Sequence, residues 1–286
     1  MSKVAIVTGS NKGIGLATVE GLKKVFDGDV FLTARNVERG TEATKQVNEK
    51  VKEGNPVQFH QLDIDDEESI KSLASFMKEK YGGIDVLINN AGIAFKCNAT
   101  EPIGHQAKVT IATNYFSVKK TCDILFPLLR SGARVVNVSS VCGFLLNIKD
   151  EKLKNTFASE KLTVPELDDL MNDFVKSTQD GTHEGKGWPN STYVVSKVGL
   201  SALSRIQQRE MDADAGRQDI AVNHIHPGYV ATDMSSHKGP LTIEDGAKAS
   251  LFAATLPPNT EIKGQYIWFD CSIVDWVNGP RPDSWT

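Results

Sequence analysis

Short apolar runs alternate along this chain with longer segments in which apolar residues recur every three or four positions. The run from Lys3 to Thr8, for example, is followed by a helical pattern through Ile14, Val19 and Leu22. The short runs predict buried strands and the longer spacing predicts helices. The predicted strands cover 3–8, 30–33, 57–62, 84–88, 134–138, 220–224 and 265–269. The predicted helices cover roughly 14–26, 37–52, 67–80, 106–129, 193–212 and 242–255.

The regular order of strand and helix predicts the fold class. Units of this length build an α/β fold, a doubly wound parallel sheet of the Rossmann type with helices on both faces. A length of 286 residues suits a single domain over 1–286. Ligands of such sheets bind beyond the carboxyl ends of the strands, so the residues that follow each strand are the first candidates for a site.

The first strand opens into a glycine-rich turn, Thr8-Gly9-Ser10-Asn11-Lys12-Gly13-Ile14-Gly15, and a helix follows directly. Strand, glycine-rich turn and helix place backbone N–H groups and a helix N-terminus against a pyrophosphate. Taken alone, such a turn is more often only a tight turn. Its position between the first strand and the first helix favours a dinucleotide site.

The end of the second strand predicts which dinucleotide binds. A carboxylate at this point takes the 2′-hydroxyl of NAD, whereas an arginine takes the 2′-phosphate of NADP. Here the strand ends in Ala34-Arg35 without a carboxylate, and Lys12 in the glycine-rich turn adds a second cation. Arg can grip a phosphate with two hydrogen bonds. The alternative is a pair of ordinary surface cations, but the pattern favours NADPH.

Polar residues also follow the third, fourth and fifth strands. Asp63 can accept a hydrogen bond from an adenine amine or can cap the next helix, and the sequence leaves both open. In Asn89-Asn90-Ala91-Gly92, the small residues let a flat ligand approach and the amides can tie strands together. Ser139-Ser140 ends the fifth strand.

Asn114 lies within a predicted helix, where asparagine is mildly unfavourable, so its side chain is expected to be either exposed to solvent or occupied by a partner.

Tyr193 and Lys197 lie four residues apart at the start of a predicted helix, so both project from one face. A nearby ammonium favours the phenolate and is expected to lower the pKa of the tyrosine. By itself, the spacing is more often that of a solvated helix face than of a catalytic pair.

Composition excludes several other classes of protein. The net charge is −4, which gives no basic face for nucleic acid or anionic lipid. No apolar run approaches the ~18 residues needed to span a bilayer, and no charged-then-apolar leader opens the chain. The four cysteines form no C-x-x-C pair, which indicates reduced thiols and a cytoplasmic location. His224 and His226 share one face of a predicted strand without a third ligand, so no metal site is predicted.

Taken together, the motifs resemble those of the short-chain dehydrogenase/reductase family. They are Thr8-Gly-x-x-x-Gly13-Ile-Gly15, Asn89-Asn-Ala-Gly92, a serine after the fifth strand, Tyr193-x-x-x-Lys197 and Pro227-Gly228. More narrowly, Leu32-Thr-Ala-Arg35, Phe59-His-Gln-Leu-Asp-Ile-Asp65 and Gly187-Trp-Pro are similar to those of its cytosolic, NADPH-dependent carbonyl reductases. The resemblance implies reduction of aldehydes, ketones or quinones with NADPH.

The resemblance also implies roles for individual residues. Tyr193 would be the general acid, and Lys197 would lower its pKa and hold the nicotinamide ribose. Ser140, rather than Ser139, would bind the substrate oxygen, and Asn114 would hold a water that passes protons to Lys197. The cofactor-binding residues would be Gly9, Asn11, Lys12, Gly13, Ile14, Gly15, Arg35, Asp63, Ile64, Asn90, Tyr193, Lys197, Val230 and Thr232. The substrate-binding residues would be Ser140, Tyr193, Phe95, Gln106 and Tyr229.

Ser140 and Tyr193 are 53 positions apart, much further than in most of the family. The segment between them, about 145–188, carries a capping box at Thr163-x-x-Glu166 and apolar residues at helical spacing. It predicts a packed helical insertion that resembles that of the monomeric carbonyl reductases and would cover the family's usual subunit interface. The alternative is an insertion that only decorates the surface. A lid is expected over 234–239.

Two other functions remain open at this point. Tyr229 stands where the close mammalian relatives have tryptophan, which leaves the substrate range undetermined. A dedicated steroid or prostaglandin reductase is the alternative enzyme, and a regulator that binds NADPH without chemistry is the alternative of another class.

Overall fold

An eight-stranded sheet forms the centre of the molecule. The computed structural model describes residues 2–96 and 98–282, so Cys97 lies outside the described residues. Over these ranges the strand order is β3-β2-β1-β4-β5-β6-β7-β8, and all neighbouring strands are parallel except β7 and β8. The strands are β1 (Val4–Val7), β2 (Asp29–Ala34), β3 (Gln58–Gln61), β4 (Ile84–Asn89), β5 (Leu129–Val138), β6 (Ala221–Ile225), β7 (Tyr266–Ile267) and β8 (Ile273–Val274).

Helices connect most of these strands. In the described part of the chain the α-helices are α1 (Gly13–Val25), α2 (Val37–Lys50), α3 (Glu67–Tyr81), α4 (Ile103–Ile111), α5 (Val118–Leu125), α6 (Glu151–Ala158), α7 (Val164–Gln179), α8 (Thr192–Asp212) and α9 (Ile243–Ala254). None of them combines the length and the apolar character needed to cross a bilayer.

The chain reverses direction across the sheet after β3. β2 and β3 extend the sheet on one side of β1, and α3 then returns the chain to the other side, where β4 pairs with β1. Alternate residues of a strand face opposite sides, and accordingly Ile6 and Val135 belong to one apolar cluster while Val7 and Val136 belong to another. The strands are therefore buried on both faces, and the predicted doubly wound fold is confirmed.

Side-chain caps begin several helices. Asp66 caps α3, since its carboxylate accepts a hydrogen bond from the Glu68 N–H at 3.0 Å. Asp63 instead accepts from the N–H of Asp65 at 3.1 Å. The interpretation of Asp63 as the helix cap is therefore wrong, because α3 begins four residues after it.

The helix predicted over 106–129 is not one regular helix. It begins at Ile103, and a π-helical segment over Ala112–Ser117 joins α4 to α5. This segment contains Asn114, which is buried. One-turn π-helical segments recur at functional sites, because the wider turn changes the direction in which side chains point.

The C-terminal part of the sheet also differs from prediction. The strand predicted over 265–269 is only two residues long, and an antiparallel strand, β8, follows it unpredicted. Cys271 lies between them with a positive φ of 70°. Beyond β8, the buried Trp276 donates its Nε1–H to the carbonyl of Gly143 at 2.7 Å, so this tail is tied to the loop after β5.

The segment between Ser140 and Tyr193 contains α6 and α7. Thr163 and Glu166 form a reciprocal capping box at the start of α7. This helix packs against α4 and α8. The packing against α8 is close, because a Cβ on Gly199 would lie 2.6 Å from the sulfur of Met171.

Candidate active site

Three of the four side chains with predicted catalytic roles meet beyond the carboxyl end of β5. Ser140 is the second residue after β5, whereas Tyr193 and Lys197 lie in the first turns of α8. The Ser140 hydroxyl lies close enough to the phenol of Tyr193 to lower the pKa of that phenol, although the two residues are 53 positions apart. The Nζ of Lys197 lies 5.7 Å from the centroid of the Tyr193 ring. The chain thus loops out through α6 and α7 and returns to the same point.

Ser139 has a different environment from Ser140. Its hydroxyl is buried and hydrogen-bonds to the carbonyl of Lys197 at 3.2 Å and to the hydroxyl of Ser201 at 2.8 Å. Ser139 therefore ties β5 to α8. Ser140 is the serine whose hydroxyl reaches Tyr193.

The electrostatics of Tyr193 and Lys197 differ from the expectation. Burial raises the pKa of Tyr193 above its ordinary value, the nearby Cys142 thiol raises it further, and the Ser140 hydrogen bond lowers it. Burial also lowers the pKa of Lys197 to about 8, and its ammonium donates to the carbonyl of Val138 at 2.8 Å. The expected net lowering of the tyrosine pKa by a lysine is therefore wrong for this arrangement, because desolvation disfavours both charged forms. Tyr193 consequently keeps its proton at neutral pH.

Asn114 is occupied rather than exposed. Its Oδ1 accepts from the N–H of Ile93 at 2.8 Å, and its Nδ2 donates to the carbonyl of Ile93 at 2.9 Å and to Ser196 Oγ at 3.1 Å. A Cβ on Gly92 would lie 3.2 Å from Asn114 Oδ1 and 3.6 Å from Lys197 Nζ. The π-helical segment, the loop after β4 and α8 thus meet at Gly92, where a larger residue would crowd both side chains.

The glycine-rich turn packs closely against the residues that follow β4. Gly9 has a φ of +59°, and a Cβ on it would lie 2.9 Å from Ala91. A Cβ on Gly15 would lie only 2.4 Å from the Nδ2 of Asn90. That amide donates to the carbonyl of Gly9 at 3.0 Å. The side chain of Asn90 therefore shapes the turn, and the glycines are required by backbone conformation and by space.

The start of α1 fits a pyrophosphate. Within the described residues, the Lys12 side chain caps none of the first amides of α1, and the first turn contains no acidic residue. The first N–H groups of a helix lack intrahelical partners and carry the positive end of its dipole. Gly13 has a φ of +59° and brings the backbone close without a side chain. Such a turn is a suitable cradle for the phosphates of a dinucleotide.

Two predicted cations lie near this turn. Arg35 follows β2 and is exposed, and Lys12 forms an ion pair with Asp233 at 2.5 Å in which both side chains are exposed. A cavity beside the turn is lined in part by Asn11 and Arg39. Arg39, which the sequence analysis does not single out, lies four residues after Arg35 in the first turn of α2. Asp63 and the buried Ile64 follow β3, next to β2 at the same edge of the sheet.

The loop after β6 lies over the glycine-rich turn. A Cβ on Gly13 would lie 3.5 Å from the Cγ2 of Thr232. A Cβ on Gly246 would lie 2.6 Å from Val230 and 3.1 Å from Ile14. Val230 and Thr232 are therefore adjacent to the turn, as the prediction of a shared cofactor site requires.

The segment predicted as a lid, 234–239, starts beside Tyr193. The Met234 sulfur lies 3.8 Å from the Tyr193 hydroxyl. Lys96, in the loop after β4, donates to the carbonyl of Asp233 and, at 3.0 Å, to the hydroxyl of Ser236. Lys96 and Met234 were not predicted as site residues, because their proximity depends on two loops that are distant in the sequence.

The predicted substrate residues lie further out. Phe95 packs edge-to-face against His105 at 6.2 Å, and the Gln106 amide donates to the carbonyl of Glu101 at 2.8 Å. Among the hydrogen bonds and ring contacts of the described residues, none joins Phe95 or Gln106 to Tyr193. Tyr229 is half-buried at the start of the loop that carries Val230.

Cys142 is the site residue that sequence reasoning missed most clearly. Its thiol interacts electrostatically with both Tyr193 and Lys197, and its N–H donates to Ser140 Oγ at 3.1 Å. Burial raises the pKa of this thiol, and the Ser140 hydrogen bond and Arg281 lower it. No spacing rule points to a cysteine two residues after the serine.

The fold and this site define a Rossmann-type dinucleotide-binding protein with serine, tyrosine and lysine together beyond the fifth strand. Among the described residues, no group of three or more His, Cys, Asp or Glu side chains is placed to hold a metal ion. The family model for short chain dehydrogenase matches residues 3–150. The chain belongs to the short-chain dehydrogenase/reductase family.

Relatives match over nearly the whole chain. Carbonyl reductase (NADPH) 1 of Homo sapiens is 46% identical over 266 residues, which cover 92% of this chain and 95% of that protein. Carbonyl reductase (NADPH) 3 of Rattus norvegicus is 45% identical, with 93% and 96% covered. Among solved structures, salutaridine reductase from Papaver somniferum superposes with a TM-score of 0.83 at 30% identity, covering 94% of this chain and 100% of that chain.

Proposed function

We propose that this protein reduces carbonyl compounds, namely aldehydes, ketones and quinones, to alcohols with NADPH. The observation that carries the proposal is the meeting of Ser140, Tyr193 and Lys197 beside a turn that fits a dinucleotide pyrophosphate. Relatives named carbonyl reductase (NADPH) support it. This similarity favours neither a dedicated steroid or prostaglandin reductase nor a regulator without chemistry.

Bound NADPH supplies the hydride that adds to the carbonyl carbon of the substrate. Tyr193 donates its phenolic proton to the carbonyl oxygen as negative charge develops there. Its raised pKa keeps this proton in place until the oxygen becomes basic. The Ser140 hydroxyl donates a hydrogen bond to the same oxygen and stabilises the developing charge. One hydride and one proton added to the C=O group yield the alcohol.

Lys197 stabilises the phenolate of Tyr193 after proton transfer. Its amine is largely protonated below pH about 8, and an ammonium near the Tyr193 ring favours the phenolate left behind. The same ammonium holds the nicotinamide ribose. Asn114, which lies beside Gly92 together with Lys197, holds a water that passes protons to Lys197.

The proposed cofactor site extends along the carboxyl ends of the strands. The backbone of the glycine-rich turn, from Gly9 to Gly15, binds the pyrophosphate. Arg35 and Lys12 bind the 2′-phosphate. The Lys12 to Asp233 pair is exposed and hence weak, so a phosphate can compete for the lysine. Asp63 and Ile64 contact the adenine, and Val230 and Thr232 contact the carboxamide. Asn90 contributes indirectly, because it shapes the glycine-rich turn.

The proposed substrate pocket lies above Tyr193. Phe95, Gln106 and Tyr229 form its walls, and Met234 covers it from the lid segment. The short distance from the Met234 sulfur to the Tyr193 hydroxyl supports this position for the lid.

Replacement of the proton donor tests the reaction. Tyr193→Phe should keep the fold and NADPH binding but lose nearly all NADPH oxidation with menadione or an aromatic aldehyde. Tyr81→Phe is the matched control, because it also removes a tyrosine hydroxyl that makes a hydrogen bond, to Asp29 at 2.6 Å. Tyr81 is the last residue of α3, just before the amino end of β4 and hence far from the carboxyl ends of the strands. An active Tyr193→Phe enzyme would refute the mechanism. An unmutated protein that binds NADPH but reduces none of a broad panel would favour the regulator.

We further propose that the protein is a monomeric single domain of the cytoplasm. The packing of α7 over α4 and α8 supports the monomer, since it covers the helices that would otherwise be open to a second subunit. The free thiols of Cys122, Cys142 and Cys271 agree with a reducing compartment. Light scattering tests the first statement, and a tight dimer would contradict it. Imaging of a fluorescent fusion tests the second.

A further inference from the structure

One peptide group next to the proposed active serine is held from both ends. The carbonyl of Ser140 accepts a hydrogen bond from the Tyr266 hydroxyl at 2.5 Å. The N–H of Val141, which belongs to the same peptide bond, donates to Nδ1 of His226 at 2.9 Å. Tyr266 lies in β7 and His226 follows β6, so both come from more than 80 positions further along the chain.

The two side chains that hold this peptide are themselves fixed. The Tyr266 ring is stacked on His224 at 4.7 Å with 12° between the ring planes, and Phe144 lies 5.7 Å from it. The His226 ring contacts Trp268 at 4.4 Å between centroids. Tyr266, Phe144 and Trp268 are almost completely buried. Neither Tyr266 nor His226 can therefore turn away without disturbing the packing around it.

The hydrogen-bond roles in this arrangement follow from the atoms. Nδ1 of His226 accepts from the N–H of Val141 and, at 3.3 Å, from that of Gly228, so this nitrogen carries no proton. The Tyr266 phenol donates to a carbonyl oxygen, and burial raises its pKa well above the ordinary value. Both contacts therefore orient the peptide in one sense only, with its C=O toward Tyr266 and its N–H toward His226.

We propose that Tyr266 and His226 are positioning residues that set the direction of the Ser140 hydroxyl by clamping the peptide group between Ser140 and Val141. This inference rests on the proposed function, in which Ser140 binds the substrate oxygen. The two contacts tie the backbone at Ser140 to β7 and to the residue that follows β6, so without them Ser140 would be free to shift and carry its Oγ away from Tyr193. Such a shift would also disturb the hydrogen bond that Ser140 Oγ accepts from the N–H of Cys142.

The first test removes the hydroxyl and keeps the ring. Tyr266→Phe should lower kcat for menadione about tenfold, the effect expected when one hydrogen bond that orients a reacting group is lost. The KM for NADPH should stay within about twofold, because the glycine-rich turn is not touched. Tyr81→Phe, the matched control for loss of a buried phenol hydroxyl, should leave kcat unchanged.

The second test uses His226 and its acceptor atom. His226→Asn keeps an acceptor near the position of Nδ1 and should recover most of the kcat, whereas His226→Ala should lose about tenfold or more. A purely structural role of the ring would instead impair both variants alike, since both remove it. This pair keeps the proposal testable if Tyr266→Phe fails to fold.

The decisive measurement is a double-mutant cycle with Ser140→Ala. If Tyr266 acts only through the serine, Tyr266→Phe should cause no further loss of kcat in the Ser140→Ala background. An equal loss in both backgrounds, or no loss when Tyr266→Phe is made alone, would overturn the inference while the proposed function stands. If Ser140→Ala retains full turnover, the proposed role of Ser140 and the inference fall together.

Discussion

His224 should make this protein sensitive to acid, and His224→Phe should remove that sensitivity. The imidazole lies in β6 with none of its surface exposed, stacked on Tyr266 and packed edge-on against Trp276 at 6.0 Å. Among the described residues, neither ring nitrogen has a hydrogen-bond partner. Burial and, to a smaller extent, the positive charge of Arg205 together lower its pKa from 6.5 to about 3. The folded protein therefore keeps His224 neutral.

The size of the effect follows from proton linkage. Above pH 6.5 the ring is neutral in both states and adds no pH dependence. Between pH 6.5 and about 3 the unfolded chain binds a proton that the folded chain does not, so the free energy of unfolding falls as the pH falls. One pH unit corresponds to about 1.4 kcal/mol. At pH 5, the contribution of His224 is thus a loss of about 2 kcal/mol relative to pH 7.

Urea unfolding at pH 7 and pH 5, followed by tryptophan fluorescence, measures this difference. His224→Phe keeps a ring against Tyr266, and any packing cost of the larger ring is the same at both pH values, so it cancels. The variant should lose about 2 kcal/mol less than the unmutated protein between the two pH values. His105→Phe provides the control, because it makes the same substitution at an exposed position. Equal losses for the His224→Phe variant and the unmutated protein would refute the reasoning.

Three further predictions concern the proposed cofactor site. Arg35→Asp should raise the KM for NADPH roughly tenfold to a hundredfold and leave the KM for NADH unchanged, because a charged hydrogen bond to the 2′-phosphate is lost. Equal use of both cofactors by the unmutated protein would contradict the phosphate site. Gly15→Ala should weaken NADPH binding and lower the free energy of unfolding by about 1–3 kcal/mol, since its Cβ would lie 2.4 Å from Asn90 Nδ2. Gly185→Ala is the control: a Cβ there would have no atom within 4 Å, so binding and unfolding assays should show no change in NADPH affinity or stability. The kcat/KM for NADPH should fall as the pH rises through about 8, where Lys197 loses its proton. If kcat/KM instead stays constant to much higher pH, the positive charge of Lys197 is not needed.

The pattern of the chain was sufficient for the parts of the fold that depend on neighbouring residues. Strand, glycine-rich turn and helix were predicted at the first unit, and the structure has them at Val4–Val7 and Gly13–Val25. The capping box at Thr163 was predicted from a spacing of three residues and is present. Such features can be predicted from the sequence because periodicity and turn chemistry act within a few positions of the chain.

Predictions of individual side chains were less complete. The predicted direction of the Tyr193 pKa shift was wrong, because burial by distant segments raises this pKa. The π-helical segment around Asn114 and the two-residue strands β7 and β8 also escaped detection. Their stability depends on partners elsewhere in the fold rather than on local preference.

By itself, therefore, the sequence determined the order of strands and helices, the turn suited to a dinucleotide and the identities of the serine, tyrosine and lysine. Only the tertiary structure decided that Ser140 meets Tyr193 and that Tyr266 and His226 hold the peptide behind Ser140. The physical reason is that local conformation is governed by interactions between near neighbours, whereas the position of a hydroxyl in a site is set by packing between segments that the sequence separates.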